Sequence, residues 1–321
     1  MPINCDSVLY SVIREEHMIH NDFFLRYLEF DGEVLPSALT FTCLSQGIAC
    51  LRLCYGSEEI AARLAYAREE LPRYRDSSLE RILGLDYRPE RAFLHEHFSF
   101  FASGAVDQLR VEADCGGKPV AHTIPVIPYH SPNRWRFPLA GTAVVTDTYP
   151  SLNSHRWCRN SEFAFDAGAF DAGAFDETLE RSVIGGRPVC AACDGVVEEV
   201  FDGLDDTGDD TDLAEIEARY GEHARIDGNH VILRHPGGEL SLYAHLQRGS
   251  VSVAPGEAVR AGRQIGRVGS SGSSWVPHLH FHVMLEGIEG PGVPVRFENL
   301  RTILGEPCAL EDTVNLVRAE G

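Results

Sequence analysis

The sequence predicts a mainly β protein of two domains: an antiparallel β-sheet domain preceded by a β-rich domain with one short helix. Three observations carry this expectation. From about residue 135 to residue 300 the chain runs as short strand-like segments divided by glycine-rich turns, the pattern of a mainly antiparallel sheet. Before that, Phe23 to Val34 and Leu94 to Val111 show stretches of apolar–polar alternation with turn residues at their ends. One segment, Ser57 to Arg73, reads as an amphipathic helix, with Ser57 as N-cap and glutamates in its first turn.

Residues 1–133 form the first predicted domain, of unassigned role. Val120 to Tyr129 holds two prolines and is expected as an extended edge leading out of it. His95 and His97 share a face of a predicted strand, where packing or solvent exposure is the ordinary explanation. Ser131-Pro132-Asn133-Arg134 is the expected linker, 134–303 the second domain, and 304–321 a C-terminal tail. Within the second domain, 165–169 and 170–174 repeat the sequence FDAGA directly, so Asp166, Asp171 and Asp176 are three spaced carboxylates. Asp202 to Glu217 is acidic and turn-rich but lacks calcium-loop spacing, and is expected as a solvated loop.

The formal net charge is −20 at pH 7. That argues against nucleic acid as a partner, because phosphate binding needs clustered Lys and Arg. No apolar run approaches the ~20 residues of a membrane-spanning helix. Met1-Pro2-Ile3-Asn4-Cys5-Asp6 lacks the basic-then-apolar pattern of a signal peptide. The default expectation is therefore a cytoplasmic protein with its nine cysteines reduced. Cys190 and Cys193 form a C-x-x-C without a second such pair to complete a metal site, and are expected to be structural.

The chemistry concentrates in Val276 to Met284, an apolar, strand-like run that contains His278, His280 and His282. Residues two apart on a strand project from one face, roughly 7 Å apart. An apolar strand has no structural need for three imidazoles on one side, and neutral imidazole is a good zinc ligand. Gly269-Ser270-Ser271-Gly272-Ser273-Ser274 enters this strand as a glycine-punctuated loop. Upstream, Asn229 to His235, Gly237-Gly238 and Leu242 to Leu246 read as a strand–turn–strand hairpin that offers His245 on a second strand.

GNHVILRHPGG, LYAHL, VAPGEAVRAGRQIGRVGSSGSS and PHLHFHV, in that order, resemble the lysostaphin/LytM-type zinc metalloendopeptidases. The resemblance covers Phe137 to Leu300 and leaves residues 1–133 unexplained. It implies one Zn2+ ion held by His155, Asp166 and His280, with His245 and His278 as catalytic histidines beside it. It also implies a peptide or peptidoglycan-like substrate. Two features depart from the usual pattern: His155 and Asp166 are separated by ten residues rather than three, and Phe170-Asp171 copies the end of the aspartate motif. Asp166 is preferred because it alone follows Phe163-Ala164-Phe165. The resemblance does not divide the roles of His245 and His278; His282 either bonds a ligand from behind or faces solvent. Oligomeric state is not indicated.

A two-histidine, one-carboxylate set leaves the fourth tetrahedral position open, which is a catalytic rather than a closed structural arrangement. Two other readings compete: a catalytically silent module of the same shape that binds or scaffolds, and an iron-dependent oxygenase with the same donor types. The segment Val253 to Gly272 also resembles the turns of biotinyl and lipoyl carriers. Those need a lysine at a hairpin tip, and the sole lysine, Lys118, lies in the other domain.

Overall fold

The computed structural model describes residues 3–15, 17–30, 35–70, 92–93, 95–149, 154–168, 184–208, 211–274, 276–310 and 316–319. The chain forms two compact units, Met1–His130 and Ser131–Gly321, and both are mainly β.

In the first unit β1 (Ile3–Cys5), β2 (Leu9–Glu15), β3 (Ile19–Leu25), β4 (Leu28–Phe30), β5 (Ala38–Ser45), β6 (Ile48–Gly56), α1 (Ser57–Glu70), β7 (Ala92–Phe93), β8 (Glu96–Ala102), β9 (Gln108–Asp114) and β10 (Pro119–Pro128) follow in order. One sheet runs β6-β5-β9-β10-β2-β3-β8, and β1, β4 and β7 form a small second sheet. Alternation in β9 buries Leu109, Val111 and Ala113 and turns Gln108 and Arg110 outward, as a sheet with one covered face requires. Phe23, Phe41 and Phe98 pack ring against ring in the core. Helix α1 adds Ile60 and Leu64, four apart on one face, to the same cluster.

Three expectations change here. The strand expected over Phe23 to Val34 breaks after Leu25, and Leu28–Phe30 joins the other sheet. The strand expected over Leu94 to Val111 is two strands, β8 and β9. The turn between them is held from a distance: buried Asn21 donates to the Gly104 carbonyl and accepts from the Val106 N–H. Apolar periodicity carries no trace of such a contact. Finally, β10 is not an edge, since it lies between β9 and β2. It pairs with β9 through Pro119–Pro125 and with β2 through Val126–Pro128. Among the described residues β2 pairs only with Val126–Pro128, so Pro125, paired to β9, is not asked for an N–H on the β2 side.

His97 pairs with Asp22, while His95 is buried against Phe24 and Tyr66. Burial, helped by the positive charge of Arg63, pushes the His95 imidazole down to about 4. The native protein therefore holds His95 neutral while the unfolded chain protonates it below its ordinary value of 6.5. Stability should fall as pH drops from 6.5 to 4, by up to roughly 3 kcal/mol at 1.36 kcal/mol per pH unit. Urea midpoints of the first unit's transition at pH 7 and pH 4.5 test this: His95→Phe should lose less stability between them than the wild type.

In the second unit the elements are β11 (Gly141–Thr146), β12 (Phe165–Gly168), β13 (Pro188–Cys190), β14 (Gly195–Phe201), α2 (Leu213–Tyr220), α3 (Glu222–Ile226), β15 (Asn229–Arg234), β16 (Leu240–Leu246), β17 (Ala258–Val259), β18 (Gln264–Arg267), β19 (Leu279–Met284), β20 (Leu300–Thr302) and β21 (Leu316–Ala319). One antiparallel sheet runs β17-β14-β15-β16-β19-β12-β11-β21-β20, and β13 pairs with β18. Strands β16 and β19 at its centre are buried along their whole length. Among the described residues no helix is long and apolar enough to cross a membrane.

Three segments differ from their expected roles. Residues 304–321, expected as a tail, supply β21, whose Val317 and Ala319 are buried between β11 and β20. The expected linker is fastened to the second unit: Ser131 and Asn133 donate to buried Glu239, and Trp135 Nε1 donates to Ser131. The acidic insert is not simply a solvated loop. Asp202 accepts the N–H groups of Gly249 and Val251, Asp206 accepts that of Ser270, and Asp212 caps α2. Short carboxylates here satisfy loop and helix-end donors.

Candidate metal centre

Alternation along the central strands separates an aromatic face from a polar one. Phe165, Tyr243 and Phe281 are in register across β12, β16 and β19 and touch one another on one face. Phe137 and Phe297 stack against Phe165 and Phe281 from below. Neighbouring residues on the strands point the other way, so Asp166 lies directly opposite His280, with Ala244 on its other side. Burial of the aromatic face sets this register, because a one-residue slip would turn every ring out of the core.

Three donor atoms converge over this polar face. His280 Nδ1 is 3.0 Å from Asp166 Oδ1, and His155 Nε2 is 3.7 Å from Asp166 Oδ2. One ligand atom from each of the three residues lies within 4.8 Å of the other two. His155 comes from the 3-10 turn Ser154–Trp157, and its Nδ1–H donates to the Asp147 carbonyl at 3.1 Å, leaving the Nε2 lone pair for the site. Donors bound to one zinc ion at ~2.0–2.2 Å in a tetrahedron sit roughly 3.3–3.6 Å apart. Two nitrogens and a carboxylate near that spacing fit such an ion.

His278 and His245 stand beside the three donors, their rings 4.6 Å apart. His278 Nε2 is 3.7 Å from Asp166 Oδ1, while its Nδ1–H donates to the Val276 carbonyl at 2.8 Å. His245 Nδ1–H likewise donates to the Ser271 carbonyl at 2.8 Å. Both rings thus keep Nδ1 protonated and present an unprotonated Nε2 when neutral. Side-chain exposures of 10–18% for His155, Asp166, His278 and His280 leave the group reachable from solvent.

Simple alternation does not explain how His245 reaches this face. Tyr243 belongs to the aromatic face, so His245, two residues on, should too. The pairing of β15 with β16 shifts by one residue here, and His245 adopts φ +59°. This bulge with a left-handed residue re-aims the imidazole, a device that costs of order 1–3 kcal/mol and is concentrated at functional sites.

Electrostatics follow from burial and mutual contact. Burial opposes the Asp166 charge, but His155, the hydrogen bond from His280 and the charge of His278 outweigh it and hold the carboxyl well below its usual range. Burial first, then the neighbouring His278 and His280, push His245 down to about 3, so this ring is uncharged. Burial also lowers His155. His280 is raised: burial acts against its charge, but the bond to Asp166 and the Asp166 charge prevail.

The five residues singled out from the sequence, His155, Asp166, His245, His278 and His280, thus lie together. The alternative carboxylates Asp171 and Asp176 lie outside the described residues. Sequence reasoning missed Ser271, which is fully buried. Its Oγ accepts the Asn229 N–H and donates to the Leu246 carbonyl, and its own carbonyl holds His245. Gly228 and Gly272 make that crossing possible. A Cβ on Gly228, at φ +63°, would stand 2.2 Å from the Ser271 oxygen, and one on Gly272 would stand 2.4 Å from the Gly228 nitrogen. The glycines in GNHVI and GSSGSS were the available signal. Gly228→Ala should destabilise the second unit by at least about 1–3 kcal/mol; an unchanged melting temperature would contradict this account of the crossing.

The fold and the geometry define the class: a β-sheet domain that gathers two histidines and a carboxylate able to hold a metal ion, with two further histidines beside them. Residues 179–290 match Peptidase family M23, and the chain carries a domain of that family. The matched stretch contains His245, His278 and His280 and begins after His155 and Asp166. The chain is 30% identical over 121 residues to the peptidoglycan DD-endopeptidase ShyC of Vibrio cholerae, covering 38% of this chain and 23% of that protein. It is 39% identical over 102 residues to the DD-carboxypeptidase/endopeptidase Mpg of Neisseria meningitidis, covering 32% and 18% respectively. The chain therefore spans under a quarter of either relative. Among solved structures, the catalytic domain of lysostaphin from Staphylococcus simulans aligns at 20% identity with a TM-score of 0.27, covering 48% of this chain and 82% of that one.

Proposed function

We propose that the second unit is a zinc-dependent endopeptidase that hydrolyses peptide bonds of peptidoglycan-type stems or cross-bridges. The observation that carries this reading is the placement of the Nε2 atoms of His245 and His278, each ring held at Nδ1 by a backbone carbonyl, beside the His155–Asp166–His280 donor set. ShyC, the relative named as a peptidoglycan DD-endopeptidase, supplies the substrate class.

His155 Nε2, an Asp166 oxygen and His280 Nδ1 would hold the ion. When bound, zinc supplies Lewis acidity toward the scissile carbonyl and lowers the pKa of water. The protein's own groups do the rest. The carbonyls of Ser271 and Val276 fix the tautomers of His245 and His278, so either Nε2 takes the proton of the attacking water. Once protonated, that same atom donates to the leaving amine, and the other histidine would stabilise the developing oxyanion when it enters the step as the imidazolium, with a second proton on Nε2.

The test is to strip the metal with a chelator, add back one equivalent of zinc, and follow release of new amines from purified peptidoglycan. Activity should vanish on stripping and return with zinc. Restoration by iron but not by zinc would instead favour an oxygenase. Zinc-loaded protein that releases no amine from sacculi or from stem and bridge peptides would favour a silent binding module.

A further inference from the structure

On the same face of β19, two residues beyond His280, stands His282. It is 3% exposed, so it does not face solvent. Its Nδ1 lies 2.9 Å from His280 Nε2, and the two rings meet nearly edge-on, with centroids 5.2 Å apart and planes at 78°. His280 is thus gripped at both nitrogens: Nδ1 faces Asp166 and Nε2 faces His282.

We infer that His282 is a positioning residue that fixes the ring of His280, with Nδ1 aimed at the metal position, by accepting the proton on His280 Nε2. The inference rests on the zinc reading above. Its chemistry is forced by the imidazole itself. A neutral ring carries one proton, and a nitrogen that donates a lone pair to a metal cannot hold it. If His280 binds through Nδ1, its proton sits on Nε2, where the described partner is His282 Nδ1. That atom must then be unprotonated, and the His282 proton must sit on Nε2.

The alternative is a histidine that merely fills space in the sheet. It fits poorly, because His282 Nε2 is buried with no hydrogen-bond partner among the described residues. An unpaired buried polar atom costs about 1–3 kcal/mol, a cost that an apolar side chain at this fully buried position on β19 would avoid. The bond to His280 is the interaction that offsets it. Groups that bond the far nitrogen of a metal-binding histidine typically contribute 10–100-fold to metal affinity or activity.

Two variants separate the bond from the bulk. His282→Leu keeps an apolar filler and removes the acceptor; His282→Asn places an amide oxygen near the position of Nδ1. Zinc affinity is measured by competition with a chromophoric chelator on the full chain, with circular dichroism to confirm folding. We expect His282→Leu to bind zinc 10–100-fold more weakly and His282→Asn to recover most of that loss. Equal affinity of His282→Leu and wild type overturns the proposal, as does a His282→Asn protein no better than His282→Leu. A wild-type protein that binds no zinc overturns the underlying zinc reading and this inference together. Should His282→Leu fail to fold, nitrogen-15 NMR of the zinc-loaded wild type decides the matter. A proton on His280 Nε2 and none on His282 Nδ1 supports the assignment, and a proton on His282 Nδ1 refutes it.

Discussion

Asp166→Asn is expected, on the proposed zinc-peptidase reading, to abolish zinc binding and peptide hydrolysis together. Asparagine keeps the size of the side chain and the register of β12 opposite β19, so the aromatic face should hold and the protein should fold. What disappears is the carboxylate charge that lies against His155, His278 and His280. Metal Lewis acidity contributes several kcal/mol to such a reaction, and each 1.36 kcal/mol is tenfold in rate. Turnover should therefore fall by roughly 100- to 10,000-fold, while metal analysis falls from one zinc per chain towards none. Full zinc occupancy in Asp166→Asn would transfer the ligand role to another carboxylate, with Asp171, in the duplicated FDAGA, the first to test.

The second large effect should leave the metal in place. His278→Ala removes an Nε2 that approaches the site without belonging to the three-donor set, and general acid–base groups typically contribute 10²–10⁴-fold. The expected result is a loss of that order in kcat with zinc stoichiometry unchanged. At His245 the better substitution is asparagine, which tolerates the left-handed backbone that His245 adopts at φ +59°. His245→Asn should show the same signature of retained zinc and lost turnover. If either variant loses zinc in proportion to activity, that histidine is holding the ion and the division of labour drawn here is wrong. Combining the two should cost much less than the product of the single losses, because residues that act on one proton path are strongly non-additive.

The sequence by itself determined the mainly β class and marked the five residues that converge. It did so because strand period and side-chain face are local properties. Three histidines at i, i+2 and i+4 on a regular strand share a face wherever that strand goes. Only the tertiary structure decided what depends on contacts between distant segments. Strand pairing put Asp166, from β12, opposite His280, more than a hundred residues later, and so closed the wide gap between His155 and the rest of the set. A bulge in β16 turned His245 towards the site against the alternation of its strand. The Ser271 carbonyl chose its tautomer, and the depth of β19 hid His282 behind His280. Acidic residues that looked merely solvated proved to hold loop N–H groups, and a segment that looked like a tail became a sheet strand. Register, bulges and hydrogen-bond partners are set by the packing of aromatic rings on the opposite face and by the need to satisfy buried donors, and neither leaves a periodic signal in the chain.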